Sequence, residues 1–183
     1  MSEVKIKLRL ITKDDIEWLR TIRNQYRDHF FTHDVITPEQ QRRWYQAYAD
    51  STGRDYMYII ELPDGTKIGT IALYNINMSD RTADLGRILL REEYWNHGIM
   101  EKAINMVLNL AFNSMRLFKV RIATFLDNAG AIALYHKCGF KSLDRPVMLM
   151  EKKNIDMDWN KPVMLQSYEE LDESYEGQAS NVK

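Results

Sequence analysis

Two short segments combine residue types and spacings that suit chemistry. The first, Trp95-Asn96-His97-Gly98-Ile99-Met100-Glu101, sits between an alternating stretch and the longest helical pattern in the chain. A helix N-terminus offers backbone N–H groups without partners and a partial positive charge, which together bind phosphate oxygens. Glycine there lets a ligand come close to the main chain. The amides from His97 to Glu101 are therefore a candidate pyrophosphate cradle, the other reading being that Gly98 only turns the chain. In the second segment, Asn128 and Tyr135 stand seven residues apart, two helical turns, and so share a helix face. Tyrosine can protonate a leaving group, and asparagine can hydrogen-bond an amide ligand. Against this stands simple core packing of Tyr135 with its hydroxyl at the rim. His29 and His33 have i,i+4 spacing, but the run HFFTH lacks the glutamate of a zinc-protease helix. Two imidazoles are too few ligands, so no metal is expected. Cys138 reads as a small buried apolar residue.

The elements that must hold these residues follow from hydrophobic periodicity. Val4 to Leu10 alternates apolar and basic residues, a half-buried strand. Thr12 caps a helix over Lys13–Gln25, with Ile16, Leu19 and Ile22 on one side and Asp14 and Asp15 at its positive end. The loop YRDHFFTHDVI leads to Thr37-Pro38, the start of a second helix that reaches about Asp50. Strands Tyr56–Glu61 and Lys67–Tyr74 flank Pro63-Asp64-Gly65-Thr66, a hairpin signal, and Thr82–Leu90 follows as a third strand. His97–Met115 carries an apolar stripe at helical spacing. Then come a strand at Lys119–Phe125 and a helix at Asn128–Cys138, which Gly139 stops. Strands at Phe140–Leu143 and Val147–Glu151 flank Arg145-Pro146. This order specifies a mixed α/β domain. Trp18 is expected in the core, and Trp44 in the core or at a site.

At 183 residues the chain is long enough for one compact domain. Its hydrophobic share of 45% and charged share of 28% are those of a globular protein. A net charge of −1 argues against non-specific nucleic-acid binding. The N-terminal run MSEVKIKLRL lacks the apolar centre of a signal peptide, and no apolar run approaches the ~20 residues needed to span a bilayer. A soluble, cytoplasmic protein without a membrane partner is expected. The charge is unevenly spread: residues 154–183 carry seven acids and two bases, −5, which leaves +4 on residues 1–153. A basic body favours an anionic small ligand. The division expected is a working domain over 1–153 and an acidic tail over 154–183. Trp159, Val163, Met164 and Leu165 would dock the tail in part, and its polar end would fray.

Together the two segments resemble the GNAT superfamily of acetyl-CoA-dependent N-acyltransferases, over most of residues 4–153 and most sharply over 82–140. That family's phosphate loop reads Gln or Arg, two residues, Gly, one residue, then Gly or Ala. Trp95, Gly98 and Met100 stand at those positions. The flow WNHGIMEKAI is similar to ribosomal-protein N-terminal acetyltransferases. The family's second motif is matched by Asn128, Leu134-Tyr135 and Gly139-Phe140. Asn96 and Met100 depart from the usual small residues, but the family contacts its ligand there through backbone, so binding is expected to survive.

The resemblance implies a mostly antiparallel sheet of about seven strands with about four helices, and acetyl-CoA as donor. It implies direct attack by a primary amine without an acyl-enzyme, with Tyr135 protonating the departing thiolate. Backbone N–H groups at Ile88, Leu89 and Leu90, where the family splays its fourth and fifth strands, would meet the oxyanion and the pantetheine arm. Asn128 would hold that arm from the other side, and Trp95, Asn96, His97, Gly98, Ile99, Met100 and Glu101 the diphosphate. For the base, Asp84 comes first, its other reading being an exposed edge charge; Glu61 and Glu101 follow. Arg23, Asn24, Phe31 and Trp44 would line the acceptor site. The run from Arg23-Asn24 through Ile36 to Gln41-Arg42-Arg43-Trp44 is similar to acetyltransferases acting on nucleotide-linked amino sugars. Arginine suits a diphosphate, and aromatic rings suit a base or sugar. A small-molecule amine of that kind is the first expectation for the partner. A protein N-terminus, or a non-catalytic acyl-CoA-binding module, are the alternatives, and a homodimer is in keeping with family members that pair.

Overall fold

The computed structural model describes residues 4–143, 148–155 and 170–172. The elements run β1 (Lys7–Leu10), α1 (Ile16–Gln25), α2 (Pro38–Asp50), β2 (Tyr56–Glu61), β3 (Lys67–Asn77) and β4 (Thr82–Leu90). They continue with α3 (Ile99–Asn109), β5 (Lys119–Thr124), α4 (Ala129–Lys137), β6 (Lys141–Ser142), β7 (Met148–Lys153) and β8 (Glu170–Asp172). The strands form one sheet in the order β6-β7-β5-β4-β3-β2-β1-β8. All neighbours pair antiparallel except β4 and β5. The mixed, mostly antiparallel sheet with four helices is thus present, with one strand more than the seven expected. The addition comes from the tail, where Leu171 stands opposite Leu8 and is itself buried. Trp159, Val163, Met164, Leu165 and the turn at Arg145-Pro146 lie outside the described residues.

Local chemistry explains most element boundaries. Thr37 Oγ1 accepts from the Gln40 amide at 3.2 Å while the Thr37 amide donates to Gln40 Oε1 at 2.8 Å, the reciprocal cap that starts α2 after Pro38. The Asp64-Gly65 pair closes the β2–β3 hairpin as expected, with Gly65 at φ +85°.

Several boundaries differ from the sequence reading, β3 running on to Asn77 rather than Tyr74 and β7 to Lys153 rather than Glu151. Pairing of β1 begins at Lys7 rather than Val4, whose carbonyl accepts from Lys102 Nζ at 2.8 Å. The first helix opens as a 3₁₀ turn over Lys13–Asp15 because the Asp15 carboxylate accepts from the Thr12 amide at 2.8 Å. The third helix starts at Ile99, two residues late, because Asn96 (φ +62°) and Gly98 (φ +73°) are left-handed. It then widens into a π turn over Leu110–Ser114, which keeps Leu110 and Ala111 fully buried as the chain turns toward β5.

The larger core cluster lies between α3 and the sheet, with Ile60, Ile71, Leu85, Ile104 and Val107 at its centre. A smaller one, on Leu19, Met57 and Ile59, seats α1 and α2; Trp18 and Trp44 pack against it, each partly buried. No described helix is long and apolar enough to cross a membrane.

Candidate active site

A break in the sheet creates the site. β4 and β5 pair in parallel only from Thr82↔Lys119 to Leu85↔Ile122. Beyond that point β4 stays with β3 as far as Leu90, and β5 stays with β7 as far as Thr124. A one-residue irregularity between the Thr70 and Ala72 pairings helps bend β4 away. Arg87 sits there at φ +50°, its carbonyl accepting from Thr70 Oγ1 at 2.7 Å. The backbone groups of β4 that faced β5 therefore lose their ladder partners after Leu85. A cavity of about 660 Å³ fills the split, with Gly86 to Leu89 on one wall and Ile122 to Phe125 on the other.

Asn128 and Tyr135 both line this cavity. Asn128 Oδ1 accepts from the Ala131 amide at 3.0 Å and so caps α4. Tyr135 is 6% exposed, with its ring edge-on to Phe140 at 6.2 Å. No described residue hydrogen-bonds its hydroxyl. Burial pushes that phenol up to about 12, so it stays protonated at neutral pH.

Another side of the cavity is built by α1, α2 and the loop between them. Arg23, Phe31 and Trp44 line the cavity, and so do Arg87, Asp34 and His29, which the sequence reading did not place at a site. Phe31 meets Phe125 at 4.5 Å between ring centroids, so the loop reaches down to β5. Arg87 donates to both Asp55 oxygens at 2.7 and 2.8 Å, with its guanidinium 4.6 Å from the Tyr74 ring centre and 5.5 Å from that of Trp44. No pattern of spacing marks Asp34 or Arg87. They reach the cavity through the loop path and the β4 irregularity.

Several expected site residues lie elsewhere. Asn24 does not line the cavity: its amide donates to the Ile36 carbonyl at 2.9 Å and accepts from the Ile36 amide at 2.8 Å, which clamps the loop. Asp84 is the larger correction. Its carboxylate pairs with Arg121 at 2.9 Å and accepts from Asn75 at 2.8 Å, away from the cavity lining. The other two candidate bases are also held by cations, Glu61 by Arg9 at 2.8 Å and Glu101 by Lys137 at 2.6 Å. Leu90 and the segment 95–101 fall outside the cavity lining as well. Trp95 donates its indole N–H to the Leu90 carbonyl at 2.7 Å, which fixes the approach to α3. His29 sits in a 3₁₀ turn, edge-on to Trp95, and His33 lies beyond it in the loop, so the two share no α-helix. Among the described residues, no cluster of three or more metal-ligating side chains forms.

The sequence profile of the acetyltransferase (GNAT) domain matches residues 5–141. The chain belongs to the GNAT acetyltransferase family. This GNAT protein is therefore an acetyl-CoA-dependent N-acetyltransferase. It is 22% identical to spermidine N(1)-acetyltransferase of Vibrio cholerae over 138 residues, 74% of this chain and 79% of that one. It is 28% identical to the putative ribosomal N-acetyltransferase YdaF of Bacillus subtilis over 145 residues, 74% of this chain and 77% of the relative. Among solved structures, that of the Vibrio cholerae spermidine N-acetyltransferase with CoA and spermine superposes with a TM-score of 0.75 at 20% identity. The superposition covers 81% of this chain and 95% of the other, and at that identity it speaks for the shared fold.

The N-terminal end of α3 is open. Gly98 is left-handed, and nothing lies within 4 Å of where a Cβ would stand, so a ligand can reach the main chain. The amides of the first turn of α3 have no intrahelical acceptor.

Proposed function

We propose that the chain transfers the acetyl group of acetyl-CoA to the primary amine of a small molecule by direct attack, with Tyr135 as proton donor to the departing sulfur. The observation that carries this is Tyr135, which lines the cavity where β4 and β5 part, is held protonated by burial, and has a hydroxyl without a hydrogen-bond partner among the described residues. Acetyl-CoA supplies the thioester carbonyl, whose carbon bonds to the amine nitrogen as its bond to sulfur breaks. The β4 amides from Ile88 to Leu90 stabilise negative charge on the carbonyl oxygen and pair with the pantetheine arm. Asn128 borders that arm from α4, and the amides from His97 to Glu101 hold the diphosphate. Tyr135 passes its proton to sulfur, and the tyrosinate recovers one from the nitrogen, so protons balance without a cysteine nucleophile. With Asp84, Glu61 and Glu101 engaged by cations, the incoming amine loses its first proton to water.

A nucleotide-linked amino sugar is the acceptor this reading favours. The aromatic wall of Phe31, Trp44 and Tyr74 suits a sugar or base, and the two guanidiniums suit phosphate. Contact between Phe31 and Phe125 narrows the cavity in favour of a small acceptor over a polypeptide end. The test is thiol release from acetyl-CoA with nucleotide amino sugars, amino acids, spermidine and N-terminal peptides. Tyr135→Phe should lower turnover by about 10²–10⁴-fold with acetyl-CoA affinity nearly intact. Unchanged turnover would remove Tyr135 from the chemistry, and binding without release for every amine would remove the catalytic reading.

A further inference from the structure

The acceptor wall holds a charge that acetyl transfer itself does not use. Arg23 lines the cavity from α1. Its Nη2 donates to the Thr32 carbonyl at 2.6 Å and to Thr32 Oγ1 at 2.9 Å, and its guanidinium lies 3.7 Å above the Phe30 ring. Neither neighbour supplies a negative charge. Its Nη1 is buried and, among the described residues, is the buried side-chain polar atom without a hydrogen-bond partner. Arg87, the second guanidinium on this cavity, differs in having Asp55 as a bidentate counter-ion. A buried cationic donor without a partner is unfavourable unless something that binds there completes it. Burial lowers the pKa of Arg23, the expected direction for a charge without compensation.

We propose that Arg23 sets acceptor specificity by pairing with a carboxylate or phosphate carried by the amine substrate, so that the enzyme acetylates anion-bearing amines rather than polycations. This rests on the reading that the cavity holds the acceptor. The planar guanidinium fork matches the geometry of either anion. A polyamine, by contrast, would meet two guanidiniums and one lining carboxylate, the exposed Asp34.

Calorimetry on the CoA-loaded protein tests this with two matched pairs: L-alanine against L-alaninamide, and glucosamine 1-phosphate against glucosamine, with spermidine alongside. In at least one pair the anionic member should bind about tenfold tighter or more, and which pair does so distinguishes carboxylate from phosphate. Arg23→Ala should erase that ratio, and Arg23→Lys, which keeps charge without the fork, should restore part of it. Unchanged CoA affinity in both variants shows that they fold. Equal or undetectable binding within both pairs, tightest binding of spermidine, or a ratio that survives in Arg23→Ala would overturn the assignment. Thiol release with the same amines separates the two claims. If no amine is acetylated, the transfer reading fails while the binding ratio still judges Arg23. If neutral members react as fast as anionic ones, Arg23 loses its role and acetyl transfer stands.

Discussion

With its pKa raised to about 12 by burial, the Tyr135 hydroxyl keeps its proton across the range in which an amine nucleophile becomes neutral. A tyrosinate has no proton to give, so activity that depends on Tyr135 is lost as pH rises through that value and is retained below it. The kcat of the wild type should therefore show no fall between about pH 8 and pH 10, short of the raised phenol value. A fall centred near pH 10, the ordinary phenol value, would contradict the assignment. The spacing of Asn128 and Tyr135 was legible in sequence because a helix fixes which residues share a face. Asp84 and Asn24 were not, because what a polar side chain does depends on the partner it meets. Arg121 lies 37 residues from Asp84, and Ile36 lies 12 from Asn24. Neither pairing leaves a mark in the local pattern.

At the scale of elements, the entry to α3 decides whether the diphosphate has a cradle. A glutamate at Gly98 would bring negative charge to the amides proposed to hold phosphate, and an L residue at φ +73° is strained by about 1–2 kcal/mol. Gly98→Ala shares the strain without the charge. Titration calorimetry should show acetyl-CoA binding weakened far more in Gly98→Glu than in Gly98→Ala; equal affinities would remove this segment from the donor site. The hairpin turn and the α2 cap were readable because each involves residues a few positions apart. The π turn after α3 and the parting of β4 from β5 were not. Burial of Leu110 and Ala111 drives the first, and the second depends on which partner each strand follows after Leu85.

Across the whole molecule, a buried ionic network ties β1, β2 and β3 to the start of α1. Asp15, 1% exposed, pairs with Arg9 at 2.9 Å and with Lys67, and Arg9 also holds Glu61 at 2.8 Å. Burial alone would raise the Asp15 carboxyl, but hydrogen bonds from Arg9, Lys67 and the Thr12 amide outweigh it and hold the group well below the usual carboxylate range. A depressed folded pKa gives stability that is present above the unfolded value and lost as pH falls toward the folded one. Melting temperature should thus decline below about pH 4, and Asp15→Asn should flatten that decline while costing about 3 kcal/mol at neutral pH. An unchanged acid profile in Asp15→Asn would show that the network does not couple to protons. By itself the sequence determined the order of elements, the mixed fold class, a glycine-led helix start and the two-turn spacing of Asn128 and Tyr135, since all of these follow from short-range periodicity and capping. Tertiary structure alone decided where the sheet opens, which carboxylates are neutralised and which buried guanidinium nitrogen is left without a partner among the described residues. Those outcomes depend on contacts between residues far apart in the chain, and only the packed fold brings such residues together.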